Sequence, residues 1–496
     1  MKLLNLKRLF KNLTLTIIIL SLVGFIFSYK LLEIPGELAS DEAAFGYNAV
    51  LLAETLHDQN GRFLPVFVLS LYGTEWRQPI PQYYITLLFK IFGASVFNLR
   101  FSSVLITIVS AVLIFYLVQQ LLGRTAAFLA SFLFLTTPQI LIQSHLAFDN
   151  ITPVPFTILW LLGLFYFHKT GNLKLLLLAG VILGINFYTY KGMRAIVPIW
   201  CILTVIYLRL DFRNSIVNFF RRVAFFALGV LPFFAVIPLL EIKYAGAVFD
   251  RYQFSWHSIY SFLYPYFSSF DPTFLFIKGD ELLVHSTGKH GMMLLASLPL
   301  FIFGCYQAVK KRGLWLLIFA AFFLTPFLFG LVGSVHRASR LMAIIPLYSL
   351  LATLGGVWLW QTKAKNIFIG TKALLVGIII LMVINYSDFI NYYWFTYPKF
   401  LHVDKKVTLV NSYKALSEYA KGFRLKPYLD TELNDGDSGL FFEAIYFDQP
   451  IGRWEDKKDI PPPASLILSH RKEIPGFERL NVDLPYHYLQ VYQKPQ

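Results

Sequence analysis

Between Leu13 and Asn385 the chain repeats one pattern, an apolar run, a short polar or charged break, then another apolar run. Crossing about 30 Å of hydrocarbon takes roughly 17–25 helical residues. Eleven runs approach or reach that length: 13–33, 97–122, 126–144, 151–167, 174–189, 195–210, 223–240, 291–309, 314–332, 341–360 and 367–385. A run near 80–92 is too short and too interrupted to cross. The basic start MKLLNLKRLFKN also fits a signal peptide, but the apolar run behind it is long and ten more follow, so an uncleaved first helix is expected.

After the last run the pattern changes, and 391–496 is charged and punctuated by proline, with enough length for a core of its own. NSYKALSEYAKGF (411–423) carries Tyr413, Leu416, Tyr419 and Ala420 at helical spacing. AIYFD, ASLILSH and HYLQVYQK read as strands, separated by breakers such as QPIGRWEDKKDIPPP. The pattern predicts an all-α polytopic membrane protein of about eleven transmembrane helices with a small C-terminal α/β domain. The membrane domain covers 1–390, with long outer loops at 34–96 and 241–290, and the soluble domain covers 391–496.

Composition agrees: 56% hydrophobic residues, 17% aromatic and a mean hydropathy of +0.57 exceed what a soluble core requires. Charge sets the orientation, because Lys and Arg are retained on the cytoplasmic side. Lys2, Lys7, Arg8 and Lys11, then Arg124, Lys169 and Lys174, Arg209, Arg213, Arg221 and Arg222, Lys310, Lys311 and Arg312, and Lys363 with Lys365 all fall on one side of the predicted spans. Of the fifteen acidic residues before residue 400, only Asp211 falls on that side. The C-terminal domain is therefore expected outside the cytoplasm. Lys and Arg outnumber Asp and Glu by 31 to 15 over 1–399, against 13 to 14 over 400–496. The net charge of +15 is thus mainly positive-inside charge, and nucleic-acid binding is excluded as its cause. Cys201 and Cys305 both lie in predicted spans and suggest no disulfide framework.

The candidate chemistry gathers on the outer face. SDEAAFGYNA puts Asp41 and Glu42 just beyond the first span, where they act either as ordinary helix-start carboxylates or as catalytic ones. SHLAFDNITP adds Asp149 at the outer end of the third span, again either a cap or a functional carboxylate. Lys191 and Arg194 in YTYKGMR, and Arg337 and Arg340 in GSVHRASR, break the charge bias by lying outside. They serve either as snorkelling anchors or as ligands of an anionic lipid phosphate. Carboxylates and cations on one face suit a substitution in which a hydroxyl displaces a lipid phosphate from a sugar carbon. The carboxylate takes the acceptor proton and the cations stabilise the departing phosphate.

With TEWRQPIPQYYITLLFKIFG, FNLRFSSVL with Arg100, YTYKGMRAIVP and HRASRLMAIIPL, the chain resembles the GT-C class of membrane glycosyltransferases. The likeness is to the bacterial dolichyl-phosphate-mannose protein mannosyltransferase-like branch, over most of 1–390. It implies a GT-C-like fold, a polyprenyl-phosphate sugar donor, an extracytoplasmic acceptor (protein, lipid or glycan) and inversion at the anomeric carbon. By the same resemblance Asp41 matches the first-loop catalytic acidic residue, and Lys191 and Arg337 match positions associated with the lipid phosphate. Gln78, Ile80 and Met193 depart from the family's proline-bearing motifs.

Glu75, Arg77, His285 and His290 are the expected substrate-loop residues. No cofactor is expected. A divalent metal held by some of Glu75, Asp271, Asp280, Glu281, His285 and His290 is the secondary expectation, since oxygen and nitrogen ligands are both present without compact spacing. The main alternative function is a transporter or flippase of an isoprenoid-linked glycan, which would be expected to carry ionisable groups near the bilayer midplane. A polysaccharide polymerase or ligase and a non-catalytic envelope scaffold are the others.

Overall fold

The computed structural model describes residues 19–36, 38–211, 215–249, 257–362, 370–401, 409–430, 436–449, 451–454, 465–469, 471–480 and 490–493. The start of the first predicted span, the basic residues ahead of it, Arg213, Lys363, Lys365 and half of HYLQVYQK lie outside the described residues. The chain is a multi-pass membrane protein, predominantly helical, with a small C-terminal sheet. Among the described residues seven helices are long and apolar enough to cross a membrane: Val96–Leu122, Asp149–Thr170, Met193–Asp211, Ile216–Lys243, Gly313–Val332, Ile344–Gln361 and Thr371–Phe400. Arg124–Leu135 and Pro138–Ser144 make an eighth if taken as one span bent by 61°. Pro138 accounts for the break, since it disfavours a helical Thr137, which is extended. Ile19–Ser28 and Leu173–Asn186 are shorter apolar helices, and Leu298–Lys311 begins well inside the predicted 291–309 run. By length and composition the described helices therefore supply seven or eight spans, against the eleven expected.

Contacts divide the chain into two compact units, one of 1–29 with 103–393, the other of 30–102 with 394–496. In the first, glycines let helices approach closely. A Cβ on Gly180 would strike Phe226 O and one on Gly229 would strike Leu177 O, where Leu173–Asn186 crosses Ile216–Ala235. Gly304 and Gly355 do the same where Leu298–Lys311 crosses Ile344–Gln361. With no water to squeeze out between them, helices in lipid associate through such tight contact. Trp160 and Trp200 stack at 4.9 Å, and their indole N–H groups donate to Thr204 Oγ1 (3.2 Å) and Thr325 Oγ1 (3.1 Å), so neither buried donor is orphaned.

The second unit holds the helices Ser40–Thr55 and Pro79–Phe92, a hairpin of β1 (Val68–Ser70) and β2 (Glu75–Arg77), and a mixed sheet. The sheet consists of β3 (Lys426–Asp430), β4 (Gly452–Trp454), β5 (Ser465–Ser469), β6 (Glu478–Arg479) and β7 (Gln490–Gln493), in the order β4-β3-β5-β7-β6. β4, β3 and β5 run parallel, and β7 is antiparallel to both its neighbours. The predicted helix at 411–423 lies within Leu409–Phe423, and ASLILSH and HYLQVYQK contain β5 and β7. AIYFD is corrected: Ala444–Tyr446 end the helix Gly436–Tyr446, because Phe441 and Phe442 bury a helical face that a five-residue apolar run does not reveal. The breaker QPIGRWEDKKDIPPP contains β4.

Arg100 ties this unit together and is 1% exposed. Its Nε and Nη2 donate to Glu42 Oε1 and Oε2 at 3.1 and 3.3 Å, and its Nη1 donates to Leu31 O and Pro35 O at 3.0 and 2.7 Å. Removing one partner of a buried ion pair strands the other charge, at a cost of about 3–5 kcal/mol. Arg100→Ala should therefore lower the thermal unfolding midpoint in detergent sharply. The double variant Arg100→Met/Glu42→Leu should recover part of that loss, as measured by scanning fluorimetry on purified protein.

Candidate active site

In the second unit, Asp41 and Glu42 are neighbours in the first turn of Ser40–Thr55 but have different surroundings. Glu42 is fully buried, and besides the Arg100 pair its Oε2 accepts from Ala39 N at 3.0 Å. It is a structural brace facing inward. The Asp41 side chain is 48% exposed, with Oδ1 accepting from Arg77 Nη1 at 2.7 Å. The N-cap is Ala39, and the bond from its N–H to Glu42, three residues on, is the carboxylate half of a capping box.

Arg77 is 5% exposed and held from several sides. Its Nε donates to Ser70 Oγ at 2.7 Å, its Nη2 lies 3.8 Å from Glu75 Oε2, and its guanidinium sits 5.2 Å from the centre of the Phe45 ring. The hairpin register, Ser70 opposite Glu75 and Val68 opposite Arg77, sets this arrangement. Glu75, Arg77 and Asp41 thus form a row of alternating charge whose outer carboxylate remains open to water. A cation so restrained fixes the position of Asp41 while leaving one of its oxygens for another proton or hydroxyl.

In the first unit a second cluster forms where the turn Asp149–Ile151 packs against the turn Ala338–Leu341, and Pro138–Ser144 packs against both Ala338–Leu341 and Leu283–His285. Asp149 is half-buried. The helix that follows has Thr152 as its N-cap with no side-chain cap, so Asp149 does not serve as the cap of Pro153–Thr170. Asp280 braces the basic turn from below. Its fully buried carboxylate accepts from Ala338 N (2.6 Å) and Leu282 N (2.9 Å), and Arg337 Nη1 is 3.5 Å away. The Arg337 side chain is 30% exposed, and Arg340 donates to Ser334 Oγ. His336, at a φ of +49°, lies 3.4 Å from Asp271 Oδ2 and 3.6 Å from Glu281 Oε1.

His285 Nδ1 is 3.1 Å from the buried amide of Gln143, and its ring packs edge-on against Phe148. His290 stands apart from His285. Its Nε2 meets Asp388 Oδ2 at 3.2 Å and its Nδ1 meets Thr287 Oγ1 at 2.9 Å, beside a cleft of about 130 Å³ that Lys289 and Asn385 also line. Burial pushes the His290 imidazole below its usual range, against the opposing pull of Asp388. Lys191 lies in the turn before Met193–Asp211 and Arg194 in the first turn of that helix, where its Nη1 donates to Val248 O at 2.7 Å, bracing the loop after Ile237–Lys243.

Among the described residues no three His, Cys, Asp or Glu side chains converge to hold a metal ion. Reasoning from sequence missed the roles of Ser70, Gln143 and Asp280. The sequence places Asp280 among the polar residues of the outer loop 241–290, and nothing local marks a carboxylate that is buried beneath a turn 57 residues further on.

Residues 77–240 match the family described as dolichyl-phosphate-mannose-protein mannosyltransferase. No curated protein sequence matches this one. Among solved structures, ArnT from Cupriavidus metallidurans bound to undecaprenyl phosphate is similar at a TM-score of 0.57 and 11% identity, covering 97% of this chain and 100% of that one. The same enzyme in the apo state gives 0.55 at 12% identity, covering 89% and 86%. The apo oligosaccharyltransferase of Archaeoglobus fulgidus gives 0.50 at 12%, covering 88% of this chain and 64% of that longer one. The chain has the fold of the GT-C membrane glycosyltransferases, and over residues 77–240 it matches the dolichyl-phosphate-mannose-protein mannosyltransferase family.

Proposed function

We propose that the protein is an inverting glycosyltransferase that moves a hexose or pentose from a polyprenyl phosphate to a hydroxyl-bearing acceptor outside the cytoplasm. The observation that carries this reading is Asp41, a half-exposed carboxylate at the head of a helix, gripped by a buried arginine within a GT-C fold. The undecaprenyl phosphate bound by the similar ArnT supports the donor class. In the reaction the acceptor oxygen attacks the anomeric carbon from the face opposite the phosphate. The bond from that carbon to the phosphate oxygen breaks, the acceptor proton passes to Asp41, and the lipid phosphate leaves carrying the bonding pair. Arg337 and Lys191 supply the positive charge that stabilises it, with Arg giving a fork of donors. Arg340 and Arg194 shape the segments that carry those two. Asp149 orients substrate in the turn cluster. Glu42 acts through the scaffold, and no metal is assigned a role.

Asp41→Asn should keep the hydrogen bond from Arg77 and cost about 1 kcal/mol or less in stability, by analogy with other exposed helix-start substitutions. It should lower turnover about 10²–10⁴-fold, the usual contribution of a general base. Transfer of radiolabelled sugar by purified enzyme checks this, and retention of a tenth of wild-type turnover would remove Asp41 from the base role.

For the phosphate, Arg337→Ala should raise the donor KM with little change in the acceptor KM, and Arg337→Lys should restore it only in part, because a point charge cannot replace the fork. The opposite split, with acceptor KM raised and donor KM unchanged, would assign Arg337 to the other substrate.

Orientation is tested by single cysteines in a background carrying Cys201→Ala and Cys305→Ala. Cysteines at the exposed positions Thr273 and Lys472 should react with an impermeant maleimide on intact spheroplasts, and one at the exposed Lys311 should react only after lysis. Labelling of Lys311 with protection of Lys472 would invert the topology.

A further inference from the structure

The C-terminal helix Gly436–Tyr446 makes a side-chain contact with the hairpin that carries Arg77. Asp437 is 5% exposed, and its Oδ2 accepts from Leu71 N at 2.8 Å. The recipient turn is strained. Leu71 and Tyr72 are consecutive non-glycine residues at φ +51° and +57°, followed by Gly73 at +78°. Such a backbone persists only where its surroundings over-determine it. Thr74 supplies one restraint, donating from its hydroxyl to Leu71 O at 2.6 Å. The Asp437 carboxylate supplies another.

The line continues through hydrogen bonds. Ser70, beside Leu71, accepts from Arg77 Nε at 2.7 Å, and Arg77 Nη1 donates to Asp41 at 2.7 Å. The helix bearing Asp437 is itself fastened. Glu443 Oε1 accepts from Ile451 N and Glu443 Oε2 from Arg453 Nη2, both at 2.7 Å, joining it to β4. Phe441 packs so tightly on Gly46 of the Asp41 helix that a Cβ there would come within 2.8 Å of the ring.

We infer that Asp437 is a positioning residue for Asp41: the C-terminal sheet domain, through Asp437, holds the Leu71–Thr74 turn in its strained form and thereby sets the Arg77 guanidinium that orients the reactive carboxylate. The inference rests on the role proposed above for Asp41. The bond requires an acceptor oxygen at position 437 and no negative charge there, because the donor is a neutral backbone N–H. Asparagine therefore suffices and alanine does not.

The test compares Asp437→Ala and Asp437→Asn in the full-length detergent-solubilised enzyme, by transfer kinetics and by amide hydrogen exchange across 66–78. The expected result for alanine is exchange across that segment faster by at least tenfold, kcat reduced by about tenfold and donor KM within twofold of wild type, with the thermal midpoint nearly unchanged. Asparagine should restore both exchange and kcat. Unchanged exchange in the alanine variant, or faster exchange with undiminished kcat, would overturn the inference, as would equal losses in the two variants. A fall in kcat that only tracks a lower thermal midpoint would overturn it too, by making Asp437 merely structural. If the wild-type enzyme transfers no sugar, the proposed function fails. The exchange arm then still decides whether Asp437 restrains the hairpin.

Discussion

A guanidinium placed where water cannot reach it loses its hydration and must recover that free energy from fixed partners. Arg100 meets the requirement with both oxygens of Glu42 and two backbone carbonyls, Leu31 O and Pro35 O. The bonded groups join three separate places: the stretch following the first apolar helix (Leu31 and Pro35), the acidic turn (Glu42), and the head of Val96–Leu122, which carries Arg100 itself. Once Arg100 is buried, the chain around residues 31–42 has little freedom left, and the direction in which Ser40–Thr55 starts is set. Asp41 owes its outward position to this pair, because its neighbour is committed inward.

The same economy recurs at Arg77 and Asp280. Arg77 is buried among a hydroxyl, an aromatic face and carboxylates of unequal exposure. Asp280 is buried beneath a basic turn and satisfied mainly by backbone N–H groups. In each case one charge is sealed away so that another, Asp41 or Arg337, is presented in a defined place while keeping contact with water. Preorganised charge of this kind favours reactions in which charge develops during bond breaking, since little reorganisation is then needed. It also separates the groups that hold the framework from those available to substrate, a division that residue type alone does not reveal.

Much of the architecture was legible in the sequence because it rests on local chemistry. Each of the eleven apolar runs contains helical residues, and the helix at 411–423 and the strands in ASLILSH and HYLQVYQK followed from periodicity. The span count was less legible, since a run such as 126–144 is apolar throughout yet turns by 61° at a proline. AIYFD has the composition of a strand and ends a helix, because Phe441 packs on Gly46 of Ser40–Thr55 and Phe442 on Tyr413.

For the candidate site, residue types and neighbourhoods along the chain were readable, and partners were not. Asp41 and Glu42 are adjacent acids at one helix start; the family resemblance singled out Asp41, but residue type and position gave no physical basis for choosing between them. Successive helical residues point about 100° apart, so one of the two had to face the packing while the other faced away. Which one did so depended on Arg100, 58 residues from Glu42. Likewise the pairing of Arg77 with Asp41, of Gln143 with His285 and of Asp437 with Leu71 joins positions separated by 36, 142 and 366 residues. By itself the sequence determined that this chain lives in a membrane, which runs are apolar and which loops carry charge, because those properties depend on composition over a single turn or span. Only the tertiary structure decided which charges are buried and which remain available, because burial depends on what packs against each face, and the segments that do the packing here are far apart in the chain.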